Sequence, residues 1–123
     1  MMKGDPIVLW ELASHDERKS AEFFHKVFDW DVAFDEKAGF YRTNPPGAPD
    51  CSRGIIFTLR KAKLPFLTVY IGVRDIDAKR RLVEEHGGFI VIEPFDIGGG
   101  ERICLFNEPS GVTFAMIEVK QVD

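Results

Sequence analysis

Few side chains in this sequence are equipped for chemistry, and Glu11 stands out among them. It interrupts an apolar run, Ile7 to Ala13, where a carboxylate is out of place. Burial there raises a carboxyl pKa and suits the group to general acid–base work, or to holding a cationic or hydroxyl-bearing ligand. A strand-end Glu paired with a nearby Arg, or open to water, is an equal alternative. Tyr70 can stack on a planar ligand and donate its hydroxyl, or simply fill space. Cys104, in a predicted strand, reads as a buried inert thiol, because no His is placed to activate it. Cys51 lies in a Pro/Gly loop, so the two cysteines form neither a closely spaced metal pair nor a disulfide framework. The histidines fall on or beside predicted helices: His15 at the start of the first, His25 within it, His86 just before Gly87-Gly88. Gly98–Gly100 lacks the strand–loop–helix context of a phosphate cradle and reads as a mobile flap.

The elements that must position these residues occur twice. The segment from Val8 registers with the one from Leu67 at a constant offset of 59 positions, which places Asp16 on Asp75, Trp30 on Phe89 and Val32 on Val91. Such an internal repeat constrains the architecture before any single element is assigned. In the first copy, Ile7–Ala13 is a strand with Val8, Trp10 and Leu12 on one face and Leu9 and Glu11 on the other. In the second, Leu67, Val69, Ile71 and Val73 oppose Thr68, Tyr70 and Gly72. Each strand thus offers one face to a helix and leaves the other free to line something else.

A helix follows each strand. Ser14 and Glu17 have capping-box spacing, and Phe23, Phe24, Val27 and Phe28 supply an apolar stripe read as core. In the second copy Asp75 is the N-cap, Ile76, Leu82 and Val83 form the stripe, and Gly87-Gly88 stops the helix. Three strands come next in each half: Asp31–Asp35, Gly39–Thr43 and Gly54–Leu59, then Phe89–Pro94, Arg102–Asn107 and Val112–Val119. Asn44–Ser52 and Asp96–Gly100 read as loops, and Pro109-Ser110-Gly111 as a tight hairpin turn. The sequence predicts one α+β domain over 1–123. It holds two tandem βαβββ modules, at about 6–60 and 66–120, joined at about 61–65.

Length and charge exclude several classes. A chain of 123 residues can bury roughly two-thirds of its unfolded surface. Hydrophobic content of 45% and charged content of 29% are ordinary for a globular protein. A net charge of −4 argues against a nucleic-acid surface, and the run Arg60, Lys61, Lys63 reads as a solvated connection. No run approaches the ~18 apolar residues of a membrane span, and Lys3, Gly4, Asp5 and Pro6 come too early for a signal peptide. The simplest reading is a reduced, cytoplasmic protein.

Three stretches carry a family resemblance: LWELASHDERKSAEFFHKVFDWDV, VYIGVRDIDAKRRLVEEHGGFIV and GGGERICLFNEPSGVTFAMIE. They resemble the vicinal oxygen chelate superfamily of glyoxalase I, bleomycin-resistance proteins and extradiol dioxygenases, in particular its small glyoxalase-related members. The resemblance implies paired modules whose sheets curl around a shared cleft. In the catalytic families that cleft holds a divalent metal on His or Glu ligands. Here the corresponding positions fall on Leu9, Thr68 and Ala115, with a fourth in Gly54–Leu59, and none suits a zinc-type ion. Glu11 would project into the same cleft, whereas Glu118 would point away from it.

The cleft is therefore expected to be lined by Leu9, Glu11, Phe57, Thr68, Tyr70, Cys104 and Ala115, with Glu11 the candidate catalytic group and no metal or other cofactor. Arg102 is left facing either solvent or a carboxylate across the cleft. The leading expectation is a metal-independent binding protein for a small hydrophobic or aromatic molecule, forming a homodimer as relatives do. The alternatives are a superfamily lyase, isomerase or dioxygenase with an atypical or Glu11-based site, and a structural dimerisation module.

Overall fold

The computed structural model of the chain describes residues 4–43, 53–58 and 65–119. The loop Asn44–Ser52 with Cys51, and the joint from Leu59 to Leu64 with its basic run, lie outside the described residues. The chain divides into two compact units, Val8–Thr68 and Met1–Ile7 with Val69–Asp123. They are called here the first and second modules.

The first module contains β1 (Ile7–Ser14, its first residue apart), α1 (Glu17–Phe28), β2 (Val32–Asp35), β3 (Phe40–Thr43) and β4 (Gly54–Thr58), in the sheet order β2-β3-β4-β1. β1 and β4 run parallel; the other neighbours are antiparallel. The helix starts two residues later than the capping-box spacing suggests. Asp16 is the N-cap, its carboxylate accepting from Lys19 N–H at 3.1 Å. Ser14 Oγ instead accepts from Asp16 N–H and meets Ser20 Oγ at 2.7 Å. An Asp can cap from the same backbone position in both modules, which explains why Asp16 and Asp75 coincide in the repeat.

The Phe stripe of α1 is also only partly core. Phe24 turns inward, stacked on Trp30 with ring centroids 4.9 Å apart and also against Trp10. Phe23, Val27 and Phe28 remain more than half exposed. Ala21 and Phe24 fix the helix face that meets the sheet; Phe23 and Val27 lie off that face, and Phe28, the last helical residue, packs its ring against Phe23, Phe24 and Trp30. Trp10 lies flat over Gly54, where an added Cβ would sit 2.1 Å from its ring. Aromatic pairs of this kind contribute about 1 kcal/mol beyond the area they bury.

The second module contains β5 (Phe66–Val73, its last five residues), α2 (Ile76–Glu85), β6 (Phe89–Gly98), β7 (Glu101–Asn107) and β8 (Thr113–Glu118), in the order β5-β8-β7-β6. Again the first and fourth strands are parallel and the rest antiparallel. Asp75 caps α2 through Ala78 N–H at 3.0 Å. Val73, Ile76, Cys104 and Met116 form the core under α2, with Ile71, Val83, Ile90 and Phe106 packed around them. Each fully buried aliphatic side chain there contributes on the order of 2 kcal/mol. Leu82, expected in the stripe, is exposed.

One further boundary differs from the sequence reading. β6 continues past Pro94 to Gly98, so Asp96–Gly98 belong to a long ribbon and not to a loop. Glycines 98, 99 and 100 all adopt positive φ and form the tip that joins it to β7. The leading segment is tied to the second module by Gly72 N–H to Pro6 O (2.8 Å) and by Lys79 to Asp5 (2.9 Å).

Candidate functional site

Register decides which side chains share a face. In the first module Glu11 pairs with Ile55, and Ile55 with Arg42. The next rung pairs Ala13 with Phe57. Because strand side chains alternate, these residues, with Leu9 and Phe40, stand on the sheet face opposite Trp10, Leu12 and Ile56. The carboxylate of Glu11 thus rises from the face that α1 leaves uncovered.

That face carries a cavity of about 450 Å³, lined among the described residues by Glu11, Glu17, Ala38, Gly39, Phe40, Ile55, Phe57 and Thr58. The volume falls within the roughly 300–1,000 Å³ of small-molecule sites. Its floor is apolar and aromatic: Ile55 and Phe57 from β4, Phe40 from β3. Glu17 arrives from the first turn of α1, whose start is pinned to β4 by Glu17 N–H donating to Thr58 Oγ1 at 3.1 Å. The helix N-terminus is a favourable place for a carboxylate.

Asp35 builds the remaining wall. Its side chain accepts from Lys37 N–H and Ala38 N–H, and its carbonyl from Gly39 N–H at 2.8 Å. Gly39 closes that turn at φ +79°, a conformation that disfavours a side chain. Arg42 bonds Asp35 at 2.7 Å and holds its carboxyl below the usual range, with the backbone donor of Ala38 adding to the effect. The same guanidinium lies 5.0 Å from the centroid of Phe40.

The sequence-predicted cleft residues divide between the two units. Glu11 and Phe57 line this cavity; Leu9 shares their face without being among its lining residues. In the second module Tyr70 and Ala115 are register partners, both buried; Thr68, on the part of β5 that belongs to the first module, is buried as well. Cys104 has the opposite orientation. Its partner is Met116, and it is sealed beneath α2 beside Val73 and Ile76. It belongs to the core and not to a cleft face. Burial pushes its thiol up to about 11, which keeps it protonated at neutral pH.

Arg102 makes a bidentate pair with Asp77 of α2, both bonds 2.9 Å, with Glu118 3.8 Å away. Glu118 also accepts from Ile76 N–H at 3.0 Å. Both side chains serve the helix side of the sheet. His25 Nδ1 is bonded to Trp30 O at 2.9 Å.

Sequence reasoning overlooked Glu17, Ala38, Gly39, Phe40, Ile55 and Thr58 as site residues. Ile55 could be found by counting register from Glu11 once β1 and β4 are known to run parallel. Glu17 was visible only as a capping residue, and nothing local signals that the turn after β2 bends over the sheet.

The positions at which the resemblance places metal ligands hold Leu9, Thr68 and Ala115. Among the described residues no three His, Cys, Asp or Glu come together to hold an ion. These side chains do not fit a divalent metal, which takes three or four N, O or S donors. No helix among the described residues is long and apolar enough to cross a membrane.

Comparison with known proteins agrees with the architecture. Residues 7–116 match the model of the Glyoxalase/Bleomycin resistance protein/Dioxygenase superfamily. The chain is 29% identical to the anthracycline biosynthesis protein DauV of Streptomyces sp. (strain C5) and 28% identical to DnrV of Streptomyces peucetius, over 87% of its own length. It spans only 44% of each of these curated relatives. Methylmalonyl-CoA epimerase from Mycobacterium tuberculosis superposes with a TM-score of 0.67 at 16% identity, covering 98% of this chain and 94% of the other. A superfamily member from Vibrio splendidus 12B01 gives 0.65 at 17%, covering 89% and 95%. These likenesses establish the mixed α+β glyoxalase-like fold.

Proposed function

For a chain that belongs to the Glyoxalase/Bleomycin resistance protein/Dioxygenase superfamily, as this one does, we propose a binding function that needs no metal, directed at a small hydrophobic or aromatic molecule. The observation that carries it is the cavity on the first module, where Glu11 stands over Ile55, Phe57 and Phe40. The apolar floor would supply affinity through burial of ligand surface. Glu11 would orient the ligand by accepting a hydrogen bond from a hydroxyl or ammonium group. Two relatives named for anthracycline biosynthesis support an aromatic ligand. A homodimer in a reduced, cytoplasmic setting belongs to the same proposal.

Thermal unfolding in excess EDTA with a panel of bicyclic aromatic compounds tests this reading. Some compounds should raise the midpoint for the native protein and fail to do so for Phe57→Ala. A panel without effect, or stabilisation only after a divalent metal is added, overturns it.

The position of Glu11 in a cavity also favours a second reading, a metal-free isomerase or lyase in which Glu11 moves a proton. On that reading Glu11→Gln abolishes turnover of a substrate that still binds, and leaves the unfolding midpoint unchanged.

A further inference from the structure

We propose that the first-module cavity selects an aromatic ligand carrying a positive charge, and that Glu17 sets this preference. The inference rests on the binding function proposed above and names its ligand class. Glu17 lines the cavity from the N-terminus of α1, and the 3.1 Å bond from its N–H to Thr58 Oγ1 fixes its backbone against the sheet. No ion pair among the described residues involves its carboxylate, whereas Glu22, Asp35, Asp77, Glu84 and Glu93 are all taken up by Arg or Lys.

Arg42, which shares this sheet face through its register with Ile55, is committed to Asp35 at 2.7 Å. Phe40 already accepts that guanidinium 5.0 Å from its ring centroid, so the aromatic floor is of a kind that receives cations. A carboxylate-bearing ligand would instead meet Glu17 as a like charge. The chain's net charge of −4 adds a weaker, long-range bias in the same direction.

The test is calorimetric titration of EDTA-treated protein with three ligands of one shape: naphthylmethylamine, naphthylmethanol and naphthoate. The amine should bind about tenfold tighter than the alcohol, and naphthoate weakest of the three. Glu17→Gln should bring the amine to within about twofold of the alcohol, and Glu17→Asp should keep most of the preference, a pattern that a purely structural role for Glu17 would not produce. Equal binding of amine and alcohol, or an unchanged ratio in Glu17→Gln, overturns the charge preference while leaving the binding function standing. Failure of all three ligands to bind overturns both.

Discussion

The two modules agree on one side of their sheets and differ on the other. On the helix side they match nearly atom for atom in role. Asp16 and Asp75 cap the helices through Lys19 and Ala78 N–H. The next residue of each helix donates its N–H to the end of the module's last strand, Glu17 to Thr58 Oγ1 and Ile76 to Glu118 Oε2. On the far side the first module carries a cavity beside Glu11, whereas the position 59 residues on is the buried Tyr70, paired with the buried Ala115. The features that hold helix to sheet have persisted through the duplication, and the open face is where the copies have separated.

Packing beneath the helices shows how much freedom the shared frame allows. The first module sets Trp10 over Gly54 and stacks Trp30 on Phe24. At the corresponding positions the second has Val69, Val83 and an exposed Phe89. The largest effect should come from Gly54→Ala, whose Cβ would overlap the Trp10 ring. About 3 kcal/mol of destabilisation is expected in urea unfolding, and a loss under ~1 kcal/mol would mean that Trp10 can move aside. Next, Trp30→Ala should cost about 2 kcal/mol while Phe89→Ala changes stability by less than ~0.5 kcal/mol. Equal costs would erase the contrast between the cores.

Where the modules agree, paired substitutions should have paired effects. Asp16→Ala and Asp75→Ala should each lose about 1 kcal/mol, read from the same unfolding curves. A marked inequality would show that one helix is held chiefly by other contacts.

The smallest effects concern the exposed pairs Asp35–Arg42 and Asp77–Arg102. Both carboxyls are held below the ordinary Asp value of 3.8, first of all by the hydrogen bond from their arginine. Their contribution is therefore complete above that value and is lost as pH falls through the lowered folded one. Arg42→Gln and Arg102→Gln should each flatten the acid limb of a stability–pH curve, and an unchanged slope would show the pairs to be inert.

Much of this was legible in the sequence because period and register are local properties. The offset that aligns Asp16 with Asp75 and Leu9 with Thr68 gave the repeated βαβββ order, and the family resemblance gave the positions at which metal ligands would stand. Alternation along β1 placed Glu11 opposite Trp10. Cys104 was misplaced because its face depends on pairing with Met116, which no local pattern reveals. The outward turn of Phe23 and Val27 was missed for a related reason: a stripe two residues wide leaves the rotation of the helix undetermined. The wall formed by Ala38 and Gly39 depends on Asp35 gathering three backbone donors, a tertiary outcome of one turn.

Amide chemical-shift mapping with naphthylmethanol, in excess EDTA, tests the central claim most directly. Metal-free binding in the first-module cavity predicts saturable shifts concentrated at Glu11, Glu17, Gly39, Ile55, Phe57 and Thr58, with little change at Tyr70 and Ala115. Shifts centred on the second module, or appearing only once a divalent metal is supplied, would contradict it.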